Sequence, residues 1–195
     1  MNLPAAYFDR LYAGDPDPWG FTSRWYEQRK YALTLAALPS PSYRRGLEVG
    51  CSVGVLTAAL AARCASLVAV DVSSAALSAA RRRVPVSVNL IQASVPDEWP
   101  AGAYDLVVVS EVGYYLDAAT LERLLDLIAR DLAPGGVVVA CHWRHPVADY
   151  PLSGDEVHAA LARWPRLSRI EEEDFLLDVL VPGGGVSVAH AEGLN

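Results

Sequence analysis

Short apolar runs alternate with stretches of helical spacing through most of this chain. Residues 46–50, 67–71, 86–93, 104–110 and 137–142 read as strands. The run over 104–110 is continuous rather than alternating, as expected of a strand covered on both faces. Between the strands, residues 53–63, 74–83 and 120–132 carry apolar positions at helical spacing. Ser73 or Ser74 supplies an N-cap, Pro85 stops the second helix, and Ala133-Pro134-Gly135-Gly136 ends the third. A further helix is predicted over 26–38, closed by Pro39-Ser40-Pro41, and another over 155–164. Residues 167–173 and 175–181 form two closely spaced strand-like segments, hence a hairpin. Strands alternating with helices predict an α/β fold with a doubly wound, mostly parallel seven-stranded sheet and an antiparallel C-terminal hairpin. Residues 1–45 form an N-terminal helical cap, 46–182 the core of a single domain, and 183–195 a loose tail with three successive glycines. Within the cap, two Asp-Pro steps at 15–18 impose extended or turn backbone.

Composition narrows the class. The 195 residues are 52% hydrophobic and 20% charged, which is globular rather than disordered. The formal net charge of −7 argues against a nucleic-acid partner. Lys30 is the sole lysine among otherwise arginine cations, read first as genomic codon bias. Three cysteines without C-x-x-C spacing suit a reducing, cytoplasmic setting. There is no signal-peptide pattern and no apolar run long enough for a membrane span, so no membrane partner is expected.

The chemistry concentrates at Leu47-Glu48-Val49-Gly50-Cys51-Ser52-Val53-Gly54, followed about twenty residues later by Asp71. A strand runs into a glycine turn, the turn opens a helix, and an acid ends the next strand. That arrangement binds a nucleoside: Gly50 and Gly54 permit close backbone approach, and Asp71 accepts two ribose hydroxyls. The helix start near Ser52 and Val53 offers free N–H groups to an anion. Glu48 before the first glycine, and Ser52 where a dinucleotide fingerprint has its middle glycine, point to S-adenosylmethionine instead of a dinucleotide.

From Arg45 to about Val181 the chain resembles the class I S-adenosylmethionine-dependent methyltransferases, which implies their Rossmann-like fold, S-adenosyl-L-homocysteine as product and an enzymatic activity. Glu48–Gly54 looks like their first motif, and Asp71 and the adjacent Val72 match the ribose-binding position. Ala93 and Ser94 sit where the family reads adenine, with Ser94 in place of the usual aspartate. Tyr104–Glu111 resembles the fourth strand, placing Ser110 and Glu111 at the cofactor. Tyr12, Asp15–Trp19, Tyr26-Glu27, Arg29-Lys30-Tyr31, Ser110–Leu116 and His142-Trp143 look like the nodulation protein S group, which N-methylates a deacetylated chitooligosaccharide. That likeness implies that the N-terminal segment folds over the cofactor, that Trp19, Tyr26 and Cys51 contribute to its pocket, and that Arg29 pairs with the methionine carboxylate.

Methyl transfer from a sulfonium is an in-line displacement that gains most from positioning and from excluding water. The residues placed to assist follow the fourth and fifth strands. Glu111 can orient an amino group, Tyr115 can hydrogen-bond or cover it, and His142 can take its proton. Tyr114, Trp143 and His145 lie nearby, and one of Tyr114 and Tyr115 packs inward. His142, His145, Asp149, Asp155 and His158 match no compact metal-ligand spacing, so no metal is expected. The acceptor reads as a small molecule such as an amino sugar. O-methylation of a metabolite, a nicotinamide-dependent oxidoreductase and a non-catalytic cofactor-binding module remain alternatives.

Overall fold

Strands β1 (Tyr43–Val49), β2 (Cys64–Asp71), β3 (Asn89–Gln92), β4 (Tyr104–Ser110), β5 (Leu132–Trp143), β6 (Arg166–Glu171) and β7 (Phe175–Leu180) form one sheet in the computed structural model, which describes residues 2–194. Their order is β3-β2-β1-β4-β5-β7-β6. The first five are mutually parallel, and β7 inserts antiparallel between β5 and β6. Side-chain alternation explains that placement. Every residue of β7 is buried, whereas β6 buries none, so β7 goes inside and β6 takes the edge.

Both faces of the sheet are covered. Leu47 and Val49 of β1 pack with Val107 and Val109 of β4 on one side, whereas Leu106 and Val108 pack with Val139 and Phe175 on the other. The helices are α1 (Ala5–Gly14), α2 (Trp25–Ala37), α3 (Val55–Ala61), α4 (Ser74–Arg81), α5 (Ala118–Asp131), α6 (Gly154–Leu161) and α7 (Val188–Ala191). The amphipathic α5 buries Leu121, Leu124, Leu125 and Ile128 and is capped by the Asp117 carboxylate on the Thr120 N–H.

Four departures from the sequence pattern have local causes. α1 is not announced by the proline-rich N-terminal stretch, although Phe8, Leu11 and Tyr12 stand at helical spacing and Tyr12 is buried. α3 begins after Gly54, whose φ of +80° excludes it from the helix. β3 spans four residues, because Pro85 opens a turn closed by the Val88 N–H on its carbonyl. The tail expected to be loose carries α7, which buries no residue.

A buried polar chain ties α6 to the sheet. The Gly113 N–H donates to His142 Nε2 at 3.1 Å, so that nitrogen carries no proton. His142 Nδ1–H is then left to donate to His158 Nε2 at 3.2 Å, and His158 Nδ1–H to Asp178 at 2.7 Å. Burial pushes the Asp178 carboxyl up, but hydrogen bonds from Arg169 and His158 outweigh it and hold it far below the usual range. Burial together with His158 drives His142 well below its ordinary pKa, so it folds neutral. Its stabilising share is complete above the unfolded value of about 6.5 and is lost as pH falls below that, at roughly 1.4 kcal/mol per unit. Glu48, whose folded pKa is raised, acts in the opposite direction and is common to both proteins compared. Urea unfolding at pH 7.5 and 5.5 is expected to show a larger loss in the wild type than in His142→Phe; equal losses would refute the neutral, buried state of this imidazole.

Candidate active site

The C-terminal ends of β1 to β4 converge on one pocket, as a doubly wound sheet requires, and residues 2–31 close it from above. The turn after β1 is shaped by its neighbours. Gly50 has φ +74°, and a Cβ there would lie 2.1 Å from Val112 Cγ2, so no side chain fits. Ser52, at φ +49°, adopts the left-handed region without being glycine. Its N–H donates to Asp71 Oδ2 at 2.8 Å, and the Ser73 N–H donates to Asp71 Oδ1 at 2.8 Å. Each Asp71 oxygen thus keeps a second lone pair for a ligand hydroxyl. Ser52 Oγ and the Tyr12 hydroxyl share a 2.5 Å hydrogen bond that fastens α1 over the turn.

Gly50, Cys51, Ser52, Asp71, Val72, Ala93, Ser94 and Ser110 all line the pocket, as does Trp19 from the cap. Trp19 packs edge-on to Tyr12 and stacks on Phe21. Glu48 lines it as well. Burial pushes its carboxyl up to about 8 against a smaller lowering effect of the Thr57 hydroxyl, and Oε2 makes no hydrogen bond of normal geometry. A buried orphan acceptor of this kind suits a cationic donor on the ligand. Gly54 stands behind the turn and outside the lining; a Cβ on it would come 2.9 Å from Ala80 Cβ, so its role is close packing of α3 on α4.

At the other end, Glu111 follows β4 with φ +58° and faces the pocket. Its Oε1 accepts from Lys30 Nζ at 2.7 Å, and its Oε2 from the Tyr114 hydroxyl and, at 3.1 Å, from the Trp143 N–H. Of the two tyrosines, Tyr114 packs inward, stacked on Tyr150 at 4.8 Å. Tyr115 lines the pocket between Phe8 and Tyr150.

Three expected residues are elsewhere. Arg29 forms a bidentate pair with Glu172 at 2.7 and 2.8 Å on the surface and does not reach the pocket. Tyr26 packs against Trp143 and Phe175, with its hydroxyl buried. His142 is fully buried with both ring nitrogens engaged, so no lone pair is free to take a substrate proton. His145 pairs with Asp174, and Asp155 with Arg144. No group of three or more potential ligands for a metal occurs among the described residues. Sequence reasoning assigned no role to Lys30, Glu27 or Asp97. For Lys30 the available signal was its being the sole lysine, three residues after Glu27.

Among the described residues that line the pocket, Glu48, Asp71, Asp97 and Glu111 are acidic and none is Lys, Arg or His. A family model described as a methyltransferase domain matches residues 47–136. A solved structure of a putative methyltransferase from Pseudomonas syringae is 49% identical, covers 81% of this chain and 99% of its own, and superposes with a TM-score of 0.71. The chain belongs to the methyltransferase family. This methyltransferase is also similar to the N-methyltransferase NodS from Bradyrhizobium japonicum WM9, solved with S-adenosyl-L-homocysteine: 26% identity, 92% and 98% coverage of the two chains, TM-score 0.83. Nodulation protein S of Rhizobium tropici is 35% identical over 127 residues, which is 63% of this chain but only 53% of that relative, little more than half its length.

Glu48 generates a test. A carboxyl with a pKa of about 8 is mostly protonated at pH 7, and a ligand ammonium beside it favours the carboxylate. Binding of S-adenosyl-L-homocysteine at pH 7 is therefore expected to release close to one proton, measured by calorimetry in buffers of different ionisation enthalpy. Glu48→Gln removes that release. Binding without proton release in the wild type would show that Glu48 does not meet the ligand ammonium.

Proposed function

We propose that this protein is an S-adenosylmethionine-dependent N-methyltransferase acting on a small amine, with a deacetylated chitooligosaccharide or related amino sugar as the acceptor. The observation that carries the acceptor class is the pocket lining: the Glu111 carboxylate faces its acceptor end, and no described lining residue is Lys, Arg or His. An anionic acceptor, such as a carboxylate or phenolate, would be repelled there, whereas an amine is attracted and oriented. The similarity to the N-methyltransferase NodS supports transfer to nitrogen, and the amino-sugar class is what the likeness to the nodulation protein S group implies.

The residues present fit the cofactor. Asp71 has lone pairs for the ribose hydroxyls, the orphan Oε2 of Glu48 suits the amino group of the methionine part, and Ala93 and Ser94 border the base position. Arg29 is held by Glu172, so the methionine carboxylate is left to N–H and hydroxyl donors of the cap and the Gly50–Gly54 turn. When bound, the cofactor supplies an electrophilic methyl group on a sulfonium. The chain's own residues supply positioning and charge. Glu111 presents a carboxylate where the acceptor nitrogen gains positive charge, Tyr115 walls the acceptor, and Phe8, Tyr12 and Trp19 exclude water. Because His142 is sequestered, the departing amine proton goes to Glu111 or to solvent.

Incubation with S-adenosylmethionine and a deacetylated chitooligosaccharide, read by mass spectrometry, is expected to place a methyl group on nitrogen. Glu111→Gln should lower the rate roughly 10²-fold. Transfer only to hydroxyl or carboxylate acceptors would overturn the amine reading.

A further inference from the structure

Lys30 lies on α2, is 2% exposed, and is not itself part of the pocket lining. Its ammonium reaches Glu111 at 2.7 Å and Glu27 at 3.1 Å, and it stands 5.0 Å from the centroid of the Tyr26 ring. Burial alone would push its pKa down; the Glu111 and Glu27 carboxylates outweigh that and hold it well above the ordinary value. Glu111 is constrained through its backbone as well as its side chain. Its backbone occupies the left-handed region, a conformation costing about 1 kcal/mol that surrounding contacts must sustain. One carboxylate oxygen is held by Lys30 and the other by the Tyr114 hydroxyl and the Trp143 N–H. Three elements thus clamp one side chain whose remaining surface faces the pocket.

The charges sort themselves in a useful way. One ammonium between two carboxylates leaves the group with a single net negative charge. Glu27 is buried on α2 away from the pocket, so the face of the group that opens to a ligand is that of Glu111. Without Glu27, Lys30 would cancel the charge that an acceptor amine meets. Without Lys30, two buried carboxylates would repel each other and one would move or protonate.

We propose that Lys30 is a positioning residue of the reaction: with Glu27 as its counter-anion, it fixes the Glu111 carboxylate at the acceptor end of the pocket. The proposal rests on the acceptor role of Glu111 given above and adds the device that sets it. Lys30 keeps its proton throughout and exchanges nothing with the acceptor.

Two measurements test it. Protein labelled with 15N at lysine alone yields a single side-chain ammonium signal, because the chain has no other lysine. That signal is expected to exchange slowly with water and to shift in Glu111→Gln. Fast exchange, or an unshifted signal, overturns the link between the two residues. The second measurement is a double-mutant cycle. Lys30→Met is made with Glu27→Gln, so that no buried carboxylate on α2 is left unpaired and the group keeps its single negative charge, and is compared with the wild type. Expected is a fall in kcat toward a deacetylated chitooligosaccharide of about 10-fold or more, with affinity for S-adenosyl-L-homocysteine unchanged and partial recovery in Lys30→Arg. In a Glu111→Gln background the same change should cost little further activity. An equal second loss, or a parallel loss of cofactor-product affinity, overturns the proposal. If the wild type methylates no amine, the acceptor reading falls while the 15N signal still decides the Lys30–Glu111 link.

Discussion

The constraint on which the site depends is electrostatic. Four acidic side chains line one pocket, and no Lys, Arg or His stands among its described lining residues. Arg29 is taken by Glu172, and Lys30 sits behind Glu111. Like charges crowded in a partly dry cleft must be separated by hydrogen bonds, neutralised by protons, or met by a cation on the ligand. Asp97 pairs with Arg123, and the other three acids each meet a different remedy. Asp71 is held by two backbone N–H groups, Glu48 is pushed toward its protonated form, and Glu111 leans on a buried lysine. What the pocket lining lacks is positive charge, which a sulfonium nucleoside supplies and the amine proposed above would add.

The sheet makes this arrangement possible by stopping five parallel strands at one edge and placing acids at the tips of β2 and β4. Backbone conformation does the aiming. Gly50, Ser52 and Glu111 all have positive φ, and two of the three are not glycine. That clustering marks where local comfort is given up for geometry. The histidine chain beneath holds the Gly113 N–H, and with it the turn that carries Tyr114 and Tyr115.

Legibility in the sequence followed the range of the interactions. The apolar runs at 104–110 and 137–142 could only be covered strands, and the Glu48–Gly54 turn with Asp71 declared a nucleoside site, because these signals are local. The N-terminal helix α1 escaped notice because the Asp-Pro steps that follow it dominate the local pattern, while its burial of Tyr12 comes from contact with the distant Ser52. Arg29, Tyr26 and His142 were placed at the site by likeness or by strand position. Their actual partners, Glu172, Trp143 and His158, are set by tertiary packing that no spacing rule shows. Lys30 illustrates the converse: its rarity was visible and its meaning was not, since Glu111 lies 81 residues away.

On the reading proposed above, acids and backbone, with no arginine, hold the cofactor and leave Glu111 for the acceptor. A crystal structure of the complex with S-adenosyl-L-homocysteine tests it most directly. Expected are ribose hydroxyls on Asp71, the amino group on Glu48, Arg29 still paired with Glu172, and Glu111 still bonded to Lys30 and open to the acceptor side. A ribose away from Asp71, or Arg29 swung onto the ligand carboxylate, would contradict it.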